Sequence, residues 1–153
     1  MKTPTSTPTS TDTVALADAL RPVLLRVGRE LRREARAVGI SPEQVSLIVA
    51  IKYAPGIGIG DLAARERISP PALTKHVDRL ERDGLVVRMP SPNDGRRIGL
   101  ALTEEGQRVL RRVRSRRTAW LATRLRGLDA AELAAVQAAI EPLSRLLKEE
   151  ENH

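Results

Sequence analysis

The chain has 153 residues and a formal net charge of +7. Its apolar residues are almost all aliphatic, because Tyr53 and Trp120 are its only aromatic residues. It contains no cysteine and two histidines, His76 and His153, which excludes disulfides, cysteine-based zinc sites, thiol redox sensing and a histidine-rich metal cluster. No apolar run approaches the roughly 20 residues of a membrane-spanning helix, so the sequence predicts no membrane partner. We expect no metal or organic cofactor.

The positive charge is concentrated in the middle of the chain. Residues 65–103 carry 8 basic and 5 acidic side chains, and residues 104–126 carry 8 basic and 2 acidic ones. Residues 127–153 reverse the balance, with 2 basic against 6 acidic. A basic centre with an acidic end suits a polyanionic partner on one face. Composition alone is equally compatible with an arginine-rich chain encoded by a GC-rich genome.

The first segment, residues 1–12, is rich in threonine, serine and proline and lacks the apolar stretch of a signal peptide. We expect a disordered tail on a cytoplasmic protein. Apolar residues then recur every three or four positions, which predicts an amphipathic helix from about Thr13 to Ala37, ended by Gly39. Pro22 falls inside this pattern and implies either a kink or a helix start near Arg21.

A second helix is predicted from Ser41, which can cap it, with Pro42 in the first turn and Gln44 completing a capping box. It ends before a glycine-rich run, Gly56 to Gly60. This run has the composition of a phosphate-binding loop, but it lacks the preceding strand and the lysine of such loops. A short edge strand and a tight turn are therefore favoured.

Two short helices over residues 60–67 and 69–83 are separated by a turn, which is the arrangement of a helix-turn-helix. Ser69 can cap the second helix, Pro70 fits its first turn and Gly84 ends it. The apolar stripe of this helix, predicted to be buried, is Leu73, Val77 and Leu80.

The second helix of a helix-turn-helix lies in the major groove of DNA, with its N-terminal residues towards the base edges. Lys75 and Arg79 can donate to guanine or phosphate, Thr74 suits phosphate or a base edge, and Ala72 suits a thymine methyl. The alternative for each residue is an ordinary solvated helix face. The candidate DNA-binding residues of this helix are Ser69, Pro71, Ala72, Thr74, Lys75 and Arg79.

A β-hairpin is predicted directly after this helix. A β-rich run from Leu85 to Met89 leads to the turn residues Asn93-Asp94-Gly95, and apolar residues then alternate with small ones as in a half-buried strand. The alternating residues are Ile98, Leu100 and Leu102.

The tip of this hairpin is basic. Arg96 and Arg97 lie where an arginine can enter the narrow minor groove of DNA. Asp94 would repel phosphate, so we expect it to cap the turn and orient Arg96. These three residues complete the candidate DNA-binding set.

Two more helices are predicted, one from a Thr103 cap to about Arg126 and one from Asp129 and Glu132 to about Glu150. The first and last helices carry more apolar surface than a small DNA-binding domain can cover, so we expect a second copy of the chain to bury it. The alternative is that both ends fold back into one monomeric helical domain. The apolar positions are Leu16, Leu20, Leu24, Leu31, Leu133, Val136, Ile140, Leu143, Leu146 and Leu147.

On four matching positions, Asp94, Arg96, Leu102 and Thr103, the chain resembles the MarR family of transcriptional regulators. The family's most specific signature is an Asp, an Arg two positions later, then five residues and Leu-Thr. One departure is Gly58, where relatives often carry a capping Thr or Ser. Further similar segments are Leu62-Ala63, Ala72-Leu73-Thr74, Asp78-Arg79-Leu80 and Gly84-Leu85-Val86.

The resemblance covers nearly the whole chain from about Val14. It implies a mostly α fold with a small β-wing: a winged helix-turn-helix domain over residues 41–103, and a helical dimerisation domain from residues 13–38 and 104–150. It further implies a homodimeric, sequence-specific repressor that binds double-stranded DNA and is released by a small molecule. A two-fold dimer predicts a pseudo-palindromic operator with half-sites about 10 bp apart.

The family commonly binds anionic phenolic ligands in a cleft formed by the first, second and fifth helices. The resemblance makes Tyr53 and Trp120 candidate ligand residues, with Arg26 or Arg29 as the counter-ion. Packing explains Tyr53 and Trp120 equally well. The missing cysteine excludes the peroxide-sensing mechanism known in part of the family.

Two other classes of protein compete with this interpretation. No Ser-His-Asp set, metal motif or cofactor loop is present in the sequence, so an enzyme is not predicted. A non-specific architectural nucleic-acid-binding protein without ligand control is the stronger alternative, because basic charge and a wing serve it too.

Overall fold

A computed structural model describes residues 10–92 and 94–148 as a mostly helical chain with one small antiparallel sheet. The helices are α1 (Ser10–Arg36), α2 (Pro42–Tyr53), α3 (Ile59–Glu66), α4 (Pro70–Arg82), α5 (Glu104–Leu125) and α6 (Ala130–Lys148). The strands are β1 (Ile57–Gly58), β2 (Val86–Pro90) and β3 (Ile98–Leu102). This is the winged helix-turn-helix architecture predicted from the sequence.

The first helix differs from its predicted bounds. It begins at Ser10, so residues 10–12, expected in the tail, are helical, and Asp12 in the first turn favours this start by its interaction with the helix dipole. The helix is continuous through Pro22, so a start near Arg21 is wrong. The remaining tail prediction, for residues 1–9, and the predicted end of the last helix at Glu150 lie outside the described residues.

The chain divides into two compact units. The first ends at Arg114 and the second begins at Ser115, and both residues lie within α5. The first unit contains α1, the helix-turn-helix, the sheet and the first half of α5, and the second contains the rest of α5 and α6. The start of α5 contributes buried residues to the core of the first unit. Those residues are Val109, Leu110 and Val113.

The core of the first unit is aliphatic, as the composition requires. The predicted stripe of α4 is confirmed, since Leu73, Val77 and Leu80 have no exposed surface. Ile98 departs from the expected alternation: its side chain is 58% exposed, because it pairs with Pro90 at the outer end of the hairpin while Leu100 lies in the core.

The sheet has the strand order β1-β3-β2, with both pairings antiparallel. The glycine-rich run therefore forms a short edge strand, as predicted. Gly56 donates its N–H to the Leu100 carbonyl at 2.8 Å, and a Cβ on Gly99 would overlap the Gly56 carbonyl. Position 99 thus requires glycine so that β1 can approach β3.

The predicted helix caps are present at α2, α4 and α6. Ser41 Oγ accepts from the Gln44 N–H at 3.1 Å, and Gln44 Oε1 accepts from the Ser41 N–H at 3.2 Å. Asp129 and Glu132 make the same reciprocal pair at 2.8 and 2.9 Å. Gly58, the departure noted above, caps α3 without a side-chain hydrogen bond.

Across residues 10–92 and 94–148, no helix is long and apolar enough to cross a membrane. The same residues contain no group of three or more His, Cys, Asp and Glu side chains that could hold a metal ion.

Candidate nucleic-acid interface

Helix α4 exposes two cations on the side opposite its buried stripe. Lys75 and Arg79 lie four residues apart on one exposed face, one turn of helix from each other. Neither forms an ion pair with any residue that the structure describes. The first turn of α4 carries no acidic residue, so the positive end of its dipole is not offset there. This face can therefore attract an anion.

The other candidates on α4 have more local roles. Ser69 Oγ accepts from the Ala72 N–H at 3.4 Å and caps the helix, while Ala72 is half-buried and Pro71 is exposed. Thr74 Oγ1 donates to the Pro70 carbonyl at 2.9 Å. The hydroxyl proton of Thr74 is thus engaged in this rotamer. Its oxygen can still accept from a base amino group, which corresponds to the base-edge role among the two roles that the sequence allows for Thr74.

At the hairpin tip, Asp94 has the structural role predicted for it. Its Oδ1 accepts from the Arg96 N–H at 3.0 Å, and its backbone carbonyl accepts from the Arg97 N–H at 3.0 Å. Ser91 donates its N–H to the Arg97 carbonyl at 2.8 Å and closes the opposite side of the turn. Asp94 therefore shapes the turn.

The two arginines of the tip differ in their surroundings. Arg97 Nε lies 3.9 Å from Asp94 Oδ2, a long pair whose arginine side chain is 78% exposed. Arg96 is exposed and makes no ion pair within the described part of the chain. Arg96 is accordingly the less compensated cation at the tip.

A contact that sequence reasoning missed joins α4 to the hairpin. Arg88 Nη2 donates to Asp78 Oδ1 at 2.6 Å, and Arg88 Nε lies 3.3 Å from Glu81 Oε2. Asp78 and Glu81 are three residues apart on α4, a spacing that the sequence displays. Their partner could not be identified from the sequence, because it lies on β2 beyond the Gly84 turn.

A second missed contact closes the hairpin onto α4. Thr103 was predicted to cap α5, and its Oγ1 does accept from the Gly106 N–H at 3.0 Å. The same hydroxyl donates to the Gly84 carbonyl at 2.6 Å, and the Thr103 N–H donates to the Leu85 carbonyl at 3.0 Å. The end of β3 is thereby attached to the turn that follows α4.

Exposed cations dominate the surface of the helix-turn-helix and its hairpin. Three acidic side chains of this region have partners within the chain: Asp78 and Glu81 with Arg88, and Glu66 Oε2 with the Ser46 hydroxyl at 2.8 Å. The exposed basic residues without an ion pair among the described residues are Arg65, Arg67, Lys75, Arg79, Arg82 and Arg96.

The candidate ligand residues lie in separate parts of the chain. Tyr53, at the end of α2, is 73% exposed, with Lys52 Nζ 5.8 Å from its ring centroid. Trp120, in the second unit, is half-buried, and the Arg124 guanidinium lies 4.0 Å from its ring centroid. The two α1 arginines, Arg26 and Arg29, are exposed. Each aromatic ring thus has a cationic neighbour on its own helix.

A cavity of about 590 Å³ opens in the first unit between residues 54–61 and residues 91–98. Its charged lining residues are Asp61, Asp94 and Arg97. Two carboxylates against one guanidinium do not favour an anionic ligand. The lining includes none of the four candidate ligand residues.

Comparison with known proteins supports one family. Residues 40–98 match the model of the MarR family. An HTH-type transcriptional regulator of Mycobacterium tuberculosis is 31% identical over 134 residues, which cover 88% of this chain and 94% of that protein. The HTH-type transcriptional repressor MdtR of Bacillus subtilis is 28% identical over 115 residues, covering 75% and 74%. A Pseudomonas aeruginosa PA01 protein of known crystal structure superposes with a TM-score of 0.77 at 35% identity, covering 91% of this chain and 97% of that one.

Proposed function

Because this chain belongs to the MarR family of transcriptional regulators, we propose that it is a homodimeric repressor that binds a specific double-stranded DNA operator and is released by a small molecule. Members of this family regulate transcription and are not enzymes. The repressor assignment draws on the B. subtilis relative, whose name describes a transcriptional repressor.

The observation that carries the DNA-binding proposal is the exposed face of α4. Lys75 and Arg79 extend from it without a counter-ion among the described residues, while the opposite face is buried in the core. In a helix-turn-helix this exposed face enters the major groove. Arg96 at the hairpin tip supplies a cation for the adjacent minor groove, whose narrow form attracts arginine.

The dimer proposal draws on apolar side chains that a single chain leaves in solvent. Many exposed apolar side chains on one helix indicate an interface, and a second copy related by two-fold symmetry would cover them. On α1 these residues are Val14, Leu16, Val23, Leu24 and Leu25. On α6 they are Leu133, Val136, Ile140, Leu146 and Leu147. The dimer would place two α4 helices on half-sites about 10 bp apart.

The effector proposal concerns an anionic phenolic compound, with Tyr53 and Trp120 as ring partners and Arg26 or Arg29 as the counter-ion. Trp120 is the single tryptophan of the chain, so its fluorescence reports on one position. Titration with hydroxybenzoates should change the Trp120 emission and release bound DNA over the same concentration range. The Arg26→Ala and Arg29→Ala variants identify the counter-ion. Release of DNA with no change in emission would remove Trp120 from the site.

A salt titration separates this function from the architectural alternative. Duplexes selected from a random pool and unselected duplexes of equal length are titrated at several salt concentrations. A specific regulator keeps a preference of roughly a thousandfold or more for the selected duplex at physiological salt. An architectural protein binds both through phosphates and loses affinity for both in parallel, and that result would contradict the proposal.

A further inference from the structure

The turn between α3 and α4 contains a backbone conformation that its residue type does not favour. Arg67 has φ 54° and ψ 42°, in the left-handed region. Among the described residues it is the one non-glycine residue with positive φ, and the other positive-φ positions are Gly39, Gly56 and Gly84. An L-residue with a Cβ pays a conformational energy there that glycine does not. The other left-handed turns described in this chain have glycine, and this one has arginine.

The main chain at this turn has an ordinary structural role that glycine could fill. The Arg67 N–H donates to the carbonyls of Ala63 and Ala64, and the Ile68 N–H donates to the Ala63 carbonyl at 3.1 Å. Ile68 packs partly buried against the core. This is the geometry of a helix C-terminus closed by a left-handed residue, where glycine is the usual choice. The hydrogen bonds therefore do not explain the arginine side chain.

The Arg67 guanidinium has no partner within the described residues. The side chain is exposed, and the neighbouring carboxylate, Glu66, accepts from the Ser46 hydroxyl. Arg67 lies two residues before Ser69, the N-cap of α4. It therefore adds a cation without an ion pair among the described residues next to the positive end of the helix that we place in the major groove.

We infer that Arg67 is a phosphate-binding residue of the DNA interface, kept in a strained turn for its charge. The inference rests on the DNA-binding function proposed above. With α4 in the major groove, the turn before its N-terminus faces the sugar-phosphate backbone at the groove edge. A guanidinium there neutralises a phosphate without reading a base, so it sets the position of the helix and raises affinity for every sequence. Backbone strain retained at an exposed functional position is consistent with this role.

The test uses variants that separate charge from backbone conformation. Arg67→Gly removes the charge and relieves the strain. Relief of the strain raises stability, and the greater freedom that glycine gives the unfolded chain offsets part of this gain. We therefore expect Tm to rise by up to about 4 °C and not to fall. Affinity should fall by about five- to tenfold at 0.1 M salt for selected and random duplexes alike, and the slope of log K against log salt should decrease in magnitude by about 0.9.

Two further variants and a matched control complete the design. Arg67→Asn, which tolerates the left-handed region but carries no charge, should lose the same affinity as Arg67→Gly. Arg67→Lys keeps a cation and should bind nearly as the unmodified protein does. Arg32→Ala removes an equal charge from the exposed surface of α1 and should leave the salt slope unchanged.

Two results would overturn the inference. One is an Arg67→Gly protein with the affinity and salt slope of the unmodified chain. The other is a loss of affinity in Arg67→Gly with none in Arg67→Asn, which would assign the effect to the backbone freedom of glycine. Failure of the proposed function looks different: the unmodified protein would then show no preference for the selected duplex, while the contribution of Arg67 would still be measurable on random DNA.

Discussion

Arg88 on β2 donates to Asp78 on α4 at 2.6 Å, so the hairpin is joined to the helix that carries the candidate base-reading residues. Glu81, one turn further along α4, lies 3.3 Å from the same guanidinium. A single arginine thus bridges two carboxylates of α4 across the turn at Gly84. The orientation of the wing relative to α4 depends in part on this contact.

The energetic coupling of Arg88 and Asp78 can be measured with a double-mutant cycle of Arg88→Gln and Asp78→Asn. The side chains are 32% and 50% exposed, so solvent screens the pair and we expect a coupling of about 0.5–1 kcal/mol in the free energy of unfolding by urea. The coupling should shrink in 1 M salt, where the screening length falls to roughly 3 Å. Additive effects of the two substitutions would show that the pair contributes nothing to stability.

Thr103 is expected to matter through its hydroxyl. Thr103→Val keeps the shape but removes the cap of α5 and the bond to the Gly84 carbonyl, and it should lower the free energy of unfolding by about 1–2 kcal/mol. Thr103→Ser retains both hydrogen bonds and is the matched control, expected within about 0.5 kcal/mol of the unmodified chain. An unchanged free energy of unfolding in Thr103→Val would show that the two hydrogen bonds of the hydroxyl contribute nothing to stability.

Glycine-to-alanine changes should have opposite signs at different positions. A Cβ on Gly99 would overlap the backbone of Gly56, and one on Gly106 would overlap the backbone of Leu85. Each substitution should destabilise the protein by about 1–3 kcal/mol, because main chain cannot move aside as a flexible side chain can. Gly60→Ala is the control, since Gly60 lies in α3 with no atom within 4 Å of the added Cβ. It should stabilise the protein by about 0.4–1 kcal/mol in urea unfolding.

The proposed DNA contacts on α4 and at the hairpin tip each predict a loss of affinity for the selected duplex. Lys75→Ala and Arg96→Ala should each weaken binding to the selected duplex by about 1–3 kcal/mol, as measured by fluorescence anisotropy. Loss of a base contact also relaxes sequence preference at one position, whereas loss of a phosphate contact does not. Arg32→Ala again controls for net charge. Unchanged affinity in both variants would remove these assignments and leave the fold as described.

The dimer proposal predicts that a charge in the apolar face of α6 separates the subunits. Ile140 is 60% exposed in the single chain, so Ile140→Glu should leave the helix intact and change the mass found by light scattering from two chains to one. Gln137→Glu adds the same charge on the same helix without removing apolar surface, and it should remain dimeric. A monomeric unmodified protein at all concentrations would contradict the dimer itself.

The features predicted correctly from the sequence depend on residues that are close together in the chain. The capping box of Ser41 and Gln44, the cap at Ser69 and the turn shaped by Asp94 each involve partners two or three residues apart. The buried stripe of α4 follows from helical periodicity alone. These local interactions were sufficient to identify the helix-turn-helix and its hairpin.

The sequence predictions were wrong where the extent of the core, or residues farther along the chain, decides burial or the bounds of a helix. Ile98 follows the alternation of a half-buried strand, but the core ends before the strand does, so its side chain remains in solvent. Pro22 was compatible with a helix start, but the apolar repeat on both sides of it keeps α1 continuous.

The order of helices, the wing and its cationic tip were determined by the sequence itself, because backbone propensity and apolar period act between near neighbours. The tertiary structure alone decided that Arg88 meets Asp78, that Thr103 reaches Gly84 and that Arg67 occupies a left-handed turn. Contacts between residues ten or more positions apart, and the dihedral angles of a turn, are set by how the packed elements close on one another. No local pattern in the chain contains that information.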